Sequence, residues 1–212
     1  MARSTTATRE DILRTAARIF FRRGYARTSL EDIAAEVGLG KGSVAFQFKT
    51  KENLLLEVIA HNLNDADDKL LRPAFTNNKR PLDQLKAFLR LTCEYQKRHV
   101  NDLGCFFGRM SLELADISEL VRLQLKHAFD HYISRISIAV AQAQREGELR
   151  HDVEPRELSY FILAQMEGAM VLMKTYRDVK QMERSFERLI TLLEFLSPKG
   201  VSAPRQNVRM TR

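Results

Sequence analysis

The stretch TSLEDIAAEVGLGKGSVAFQFKTKENLL, from Thr28 to Leu55, decides the fold of this chain. Apolar residues recur at helical spacing in its first half, which predicts a short helix with one buried face: Leu30, Ile33, Ala34 and Val37. Two hydroxyl residues stand three positions before acidic ones, so either pair could cap this helix: Thr28 with Glu31, or Ser29 with Asp32. Gly38 follows as the turn residue, because glycine adopts a left-handed backbone angle without steric cost.

A second short helix is predicted from Gly40 to Phe48, with Val44 and Phe48 on its apolar side. Two short helices joined by a glycine turn form a helix-turn-helix, whose second helix enters the major groove of DNA. The pattern therefore predicts DNA binding. The residues expected to face the groove are Lys41, Gly42, Ser43, Ala45, Phe46 and Gln47.

Particular roles follow from the side chains of this second helix. Gln47 suits a bidentate contact with adenine, and Ala45 or Phe46 suits contact with a thymine methyl group. Phosphate contacts position a protein on DNA without reading its sequence. We expect four residues to make such contacts: Thr28, Ser29, Lys49 and Lys51.

The charge of the chain is unevenly distributed. Residues 1–52 carry ten Lys or Arg and six Asp or Glu, residues 198–212 carry four Lys or Arg and no acid, and the net charge of the whole chain is +7. The 20 basic and 21 acidic residues between them nearly cancel. This distribution favours a nucleic-acid partner for the N-terminal part over a merely solubilising surface. Four arginines are crowded in the first predicted helix: Arg14, Arg18, Arg22 and Arg23.

No alternating strand pattern of any length occurs, so we predict an all-α fold. We expect residues 1–52 to form a three-helix DNA-binding head, residues 53–197 a larger helical body, and residues 198–212 a disordered basic tail. The remaining start and stop signals predict helices over these stretches: Thr8 to Gly24, Thr50 to about Leu71, Pro81 onward, Cys105 to Leu114, Ser118 to Glu146, Pro155 onward, and a last helix that ends at Pro198.

The first 55 residues resemble the N-terminal domain of the TetR family of bacterial transcriptional regulators. The resemblance rests on ATREDILRTAARIFFRRGYARTS, EDIAAEVGLGKGSV and the KTKENLL entry into a long helix. The chain departs from the family where an aromatic residue, often a phosphate-binding tyrosine, usually stands at Ala45, and where histidine or tyrosine usually stands at Phe46 and Gln47. The resemblance implies a homodimeric regulator, expected to be a repressor, that releases a palindromic operator when a ligand binds.

The family dimerises through its last two helices and encloses a ligand cavity among its central ones. By this resemblance, and because small residues allow close helix approach, we expect the dimer interface to include Ala164, Gly168, Ala169, Met173, Phe186, Leu189 and Leu193. Methionine and aromatic side chains suit a small hydrophobic effector, although each residue could simply pack the core. The candidate cavity residues are Phe88, Cys93, Cys105, Phe106, Phe107, Met110, Phe129, Tyr132, Met166, Met170 and Lys174.

The segment LGCFFGRMSLELAD, from Leu103 to Asp116, resembles a sixth helix with a Gly-Cys pair found in one branch of the family. Some members of that branch sense electrophiles or oxidants through the cysteine. Lys174 matches a lysine that often accompanies it, and a nearby ammonium would favour the thiolate of Cys105. The alternative is that Cys105 is a small buried apolar residue.

Other classes of protein find little support. The chain has no nucleophile elbow, phosphate loop or dinucleotide fingerprint, and of its five histidines only His127 and His131 share a helix face. We therefore expect no enzyme activity, cofactor or metal. Two cysteines, an N-terminus without an apolar segment and no stretch of about 20 apolar residues predict a cytoplasmic protein without a membrane span. A basic helical protein-interaction module remains the rival interpretation.

Overall fold

The computed structural model describes residues 7–40, 42–76, 79–100 and 102–198. These residues form ten α-helices and no strand, which confirms the predicted all-α class. The helices are α1 (Arg9–Arg23), α2 (Leu30–Glu36), α3 (Ser43–Phe48), α4 (Lys51–Ala66), α5 (Arg72–Ala74), α6 (Pro81–Arg98), α7 (Phe106–Leu114), α8 (Glu119–Arg145), α9 (Pro155–Tyr176) and α10 (Val179–Phe195). The tail residues 199–212 lie outside the described part of the chain.

Side-chain caps place the helix starts where the sequence predicts them. Thr8 forms a reciprocal capping box with Asp11 at the start of α1. Of the two pairs possible at α2, Ser29 and Asp32 form the box. Each box satisfies backbone N–H groups that the first helical turn leaves without partners.

Glycine residues follow the first two helices of the predicted head. Gly24 closes α1 with φ +92°, and Gly38 follows α2 with φ +73°. Residues with a Cβ rarely adopt either angle, so these two positions set the turns that orient α2 and α3.

The long helix predicted from Thr50 to Leu71 is interrupted. It runs as α4 to Ala66, continues as a π-helical turn over Asp67–Leu71, and ends in α5. The Asp67 carboxylate accepts from Arg72 Nε at 2.6 Å and lies 3.0 Å from Nε2 of His131 on α8. Apolar spacing cannot reveal such a turn, because the widened backbone keeps Leu70 and Leu71 buried.

Two apolar cores hold the helices together. The first joins α1–α4 with α7 and the first half of α8, so that Phe107 and Leu125 pack in the same core as Phe20 and Phe48. The second joins α6, the second half of α8, α9 and α10. The head thus shares its core with two helices of the body. None of the helices in the described residues is long and apolar enough to cross a membrane.

Candidate DNA-binding surface and effector cavity

Helix α3 presents its polar side to solvent. Val44 and Phe48 are buried in the first core, whereas Gln47 is exposed and the Phe46 ring is 89% exposed. Gly42 is also exposed, and Ser43 and Ala45 are partly so. The exposed Phe46 ring therefore lies on the side of α3 that the sequence predicts to face the groove. Lys41, the remaining residue predicted to face the groove, lies outside the described residues.

Two residues predicted to contact phosphates have structural roles instead. Thr28 is buried, and its hydroxyl donates to the Gly24 carbonyl at 2.8 Å. Lys51 Nζ donates to the carbonyls of Tyr25 and Thr28, both at 2.9 Å, and lies over the Tyr25 ring. Both side chains are drawn inward because the α1–α2 turn exposes backbone carbonyls that need donors.

The other two predicted phosphate contacts remain accessible. Lys49 is exposed at the end of α3 and holds φ +64°, an angle uncommon for a residue with a side chain. Ser29 is half-buried, and its hydroxyl donates to Asp32 as the cap of α2. Its backbone N–H donates to the same carboxylate at 2.8 Å.

Three of the four arginines singled out on α1 are paired and do not form the free positive surface that the sequence suggested. Arg18 pairs with Glu36 at 2.7 Å, Arg22 with Asp102 at 2.5 Å, and Arg14 with Glu10 at 2.9 Å. Glu10 lies four residues before Arg14 on the same helix, so the sequence could show that pair. Glu36 and Asp102 belong to another helix and to a loop, so the sequence could not show that they balance Arg18 and Arg22.

A cavity of about 380 Å³ opens between α1, α4, α6, α7, α8 and α9. Its volume lies within the range of small-molecule sites. Several predicted residues line it: Phe88, Cys105, Phe106, Phe107, Phe129, Tyr132, Met166 and Met170. Their rings form a connected series, with Tyr132 within 6.1 Å of both Phe88 and Phe107 between ring centroids.

Three predicted cavity residues lie elsewhere. Cys93 is buried in the second core on α6, and Met110 is fully buried in the first. Lys174 is exposed, and its Nζ lies 4.4 Å from the centroid of the Phe21 ring. Helical periodicity marks Cys93 and Met110 as inward, and the family resemblance places Lys174 near Cys105. Neither says which side of a helix meets which neighbour.

The sequence reasoning missed most of the polar lining. Thr92, Gln96 and Glu167 lie in the wall, and charged residues stand around it: Arg14, Arg18, His61, Asp65, Lys69, His99 and Asp102. Glu167 could have been predicted from the sequence, because it lies on the same helix face as Met170, a predicted cavity residue. The residues of α1 and α4 had none, because polar positions on an amphipathic helix are assigned to solvent until packing places another element over them.

Cys105 is not activated by Lys174. The Cys105 Sγ accepts from the Gly108 N–H at 3.4 Å at the start of α7. Burial raises the pKa of the Cys105 thiol well above its ordinary value, and the nearby Glu167 carboxylate raises it further. The lysine that was expected to favour the thiolate lies over Phe21 instead.

The predicted dimer residues fall into two groups. Ala164 and Gly168 are exposed on α9, in line with an interface. Ala169, Met173, Phe186, Leu189 and Leu193 are buried in the second core, where α9 packs on α10 within one chain. Large exposed apolar residues of these two helices include Phe161, Val171, Leu172, Leu192 and Phe195.

Helix α7 touches both the cavity and the head. Its first turn supplies Phe106 and Phe107 to the cavity wall. In its last turn, the Glu113 carboxylate accepts from the backbone N–H groups of Tyr25 at 3.0 Å and Ala26 at 2.7 Å. One rigid helix therefore connects the wall of the cavity to the turn between α1 and α2.

A helix-turn-helix with an exposed second helix, joined to a helical body with a cavity, defines the class of one-component transcriptional regulators. Comparison with known sequences identifies the family. The profile of bacterial regulatory proteins of the tetR family matches residues 12–58, and that of the tetracyclin repressor-like C-terminal domain matches residues 81–189. The chain belongs to the TetR family, whose members are transcriptional regulators and not enzymes.

Individual relatives agree with this assignment. The HTH-type transcriptional repressor DhaR of Mycobacterium sp. (strain GP1) is 26% identical over 196 residues, covering 91% of this chain and 97% of that protein. A TetR regulator structure from Chloroflexus aurantiacus is 28% identical with a TM-score of 0.79, covering 87% of this chain and 93% of the other. The reduced form of Escherichia coli NemR, 21% identical with a TM-score of 0.76, covers 86% and 96% and shares the fold.

Proposed function

We propose that the protein is a homodimeric repressor that binds a palindromic operator through α3 and releases it when a small effector enters the cavity. The observation that carries this proposal is the double contact of α7, which lines the cavity with Phe107 and holds the head through Glu113. An effector that displaces the start of α7 would move its end, and the α1–α2 turn with it. Repressor names among the relatives support the direction of the response.

The dimer in this proposal uses the exposed faces of α9 and α10. Ala164, Gly168, Val171 and Leu172 recur at helical spacing along one exposed side of α9. Small residues within such a stripe let a second helix approach closely, and the larger ones fill the space around them. Two heads held by this face would read two half-sites about one turn of B-form DNA apart, in the bacterial cytoplasm.

A gel shift with the DNA upstream of the protein's own gene tests the proposal. We expect specific retardation that weakens steeply with salt, because several phosphate contacts release counterions. Absence of retardation at low salt would instead favour a helical protein-interaction module.

Gln47→Ala should relax the base preference at one position in each half-site. Loss of a bidentate contact removes about 1–3 kcal/mol of discrimination at that base pair and leaves other positions unchanged. Binding to a set of singly substituted operators measures this. Arg27→Ala, at an exposed position of the head outside α3, is the control and should keep the base preference. A uniform loss of affinity across the operators in Gln47→Ala would show that Gln47 does not read a base.

Thiol sensing through Cys105 is the second candidate, because the residue lies in the cavity wall where an electrophile could reach it. Its raised pKa means that the thiolate is scarce at neutral pH, and becomes abundant only as the pH rises toward that pKa. We therefore expect Cys105 to react with iodoacetamide slowly at neutral pH and faster with each step to higher pH. Mass spectrometry of the modified peptide measures the rate.

The Cys105→Ser variant tests whether the thiol takes part in regulation. If an electrophile releases the operator equally well from the Cys105→Ser protein, covalent sensing at this residue is excluded. Release confined to the wild type would support it.

A further inference from the structure

The wall of the cavity contains an acid without a cationic partner. Glu167 lies on α9 among apolar and aromatic lining residues. No Lys, Arg or His among the described residues pairs with its carboxylate, and the influences on it are burial, which raises its pKa, and a hydrogen bond from the Cys105 thiol. A thiol is a weak donor, so a partly buried carboxylate with this single partner is poorly stabilised.

The helix opposite makes room for this carboxylate. A Cβ atom at Gly108 on α7 would lie 2.5 Å from Glu167 Oε2 and 3.5 Å from Cδ. Any other residue at position 108 would push the carboxylate away, so the glycine allows α7 and α9 to hold it between them. The Glu167 side chain is thus accommodated in the wall by close packing.

The rings around the cavity complement the acid. Phe107 contacts Phe106, Phe129 and Tyr132 with ring centroids 5.9 to 6.3 Å apart, and Tyr132 continues the series to Phe88. The faces of such rings attract cations, and the attraction grows when water is excluded. A carboxylate set among aromatic rings therefore favours a positively charged guest over a neutral or anionic one.

The charged residues near the opening do not supply that positive charge. Lys69 pairs with Asp65 at 2.6 Å, and Arg18 and Arg14 pair with acids of the head. Their positive charges are balanced outside the aromatic part of the wall. Glu167 is left as the acid inside the cavity whose charge a ligand could balance.

We propose that the effector is an organic cation, an aromatic amine or quaternary ammonium, whose positive centre lies against Glu167 among the cavity rings. This proposal rests on the proposed function, since it names the chemical class of the molecule that enters the cavity. Binding would replace the missing partner of the carboxylate. It would also press on the start of α7, beside Gly108.

A matched pair of ligands tests the proposal. 3-Hydroxyphenyltrimethylammonium and 3-tert-butylphenol have nearly the same shape and differ in the positive charge. By calorimetric titration at neutral pH, we expect the wild-type protein to bind the cation at least about tenfold more tightly than the neutral compound, a difference of about 1.4 kcal/mol. Glu167→Gln should reduce this ratio to about one while leaving the affinity for 3-tert-butylphenol within about twofold.

Two further variants separate charge from structure. Glu157→Gln removes an exposed carboxylate from the same helix and should keep the wild-type ratio. Glu167→Asp retains the charge and should keep a preference for the cation. Equal binding of the two ligands by the wild type, absence of cation binding up to about 10 mM, or an unchanged ratio in Glu167→Gln would each overturn the proposal.

The operator assay distinguishes a failure of the cationic-effector proposal from a failure of the proposed regulatory function. Operator binding without ligand tests the regulator, and the ratio of ligand affinities tests the class of effector. A protein that binds its operator but prefers 3-tert-butylphenol remains a regulator with a neutral effector. A protein that prefers the cation but binds no operator keeps its cavity chemistry and loses the proposed role.

Discussion

Gly168→Arg should convert the protein to a monomer and lower operator affinity at least about 100-fold. Gly168 is exposed at the centre of the small and apolar stripe on α9. If a second copy packs there, a guanidinium group would keep the helices apart and leave a charge buried without a partner. The loss of operator affinity follows because two linked heads bind a palindrome far more tightly than one.

Sedimentation gives the oligomeric state of this variant, and a gel shift gives its operator affinity. Asn64→Arg adds the same side chain to an exposed position of α4 outside the proposed interface, so it should remain a dimer. A Gly168→Arg protein that stays dimeric would show that the interface lies on another face. A monomer with full operator affinity would show that pairing is unnecessary for binding.

Glu113→Ala should lower the free energy of unfolding by about 1–3 kcal/mol and weaken the response to effector. The carboxylate accepts from the Tyr25 and Ala26 N–H groups, and its loss leaves both donors without their partner. The partly buried Tyr25 N–H accounts for about 1–3 kcal/mol, because the exposed Ala26 N–H can bind water instead. The same contact ties α7 to the head, so an effector that moves α7 would no longer move the head with it.

Urea unfolding measures the stability of this variant, and operator release across an effector titration measures the coupling. Asp116→Ala removes an exposed acid just beyond α7 and should change neither quantity. Glu113→Gln keeps one acceptor oxygen without the charge and should give an intermediate result. If Glu113→Ala retains full stability and full release, the head is held by other contacts, such as that of Arg22 with Asp102.

Local signals in the sequence were sufficient to predict the helices of the head. The capping boxes, the glycine turns and the apolar spacing act over three to seven residues, so the sequence shows them directly. The exposed positions of Phe46 and Gln47 follow from the same spacing. The structural roles of Thr28 and Lys51 could not be predicted from this spacing. The carbonyls that they bind become their neighbours only when the α1–α2 turn folds against α4.

In the body, too, the sequence predicted the helices but not their contacts. Periodicity identified α9 and α10 as amphipathic, and the family resemblance assigned Met173 and Leu193 to a dimer interface, whereas both are buried within the chain. The sequence alone determined the all-α class, the order of the helices and the recognition helix, because caps, turns and spacing depend on neighbouring residues. Only the tertiary structure decided which apolar side of each helix is covered, and that Glu167 and Gly108 meet in the cavity wall, because such contacts join residues far apart in the chain.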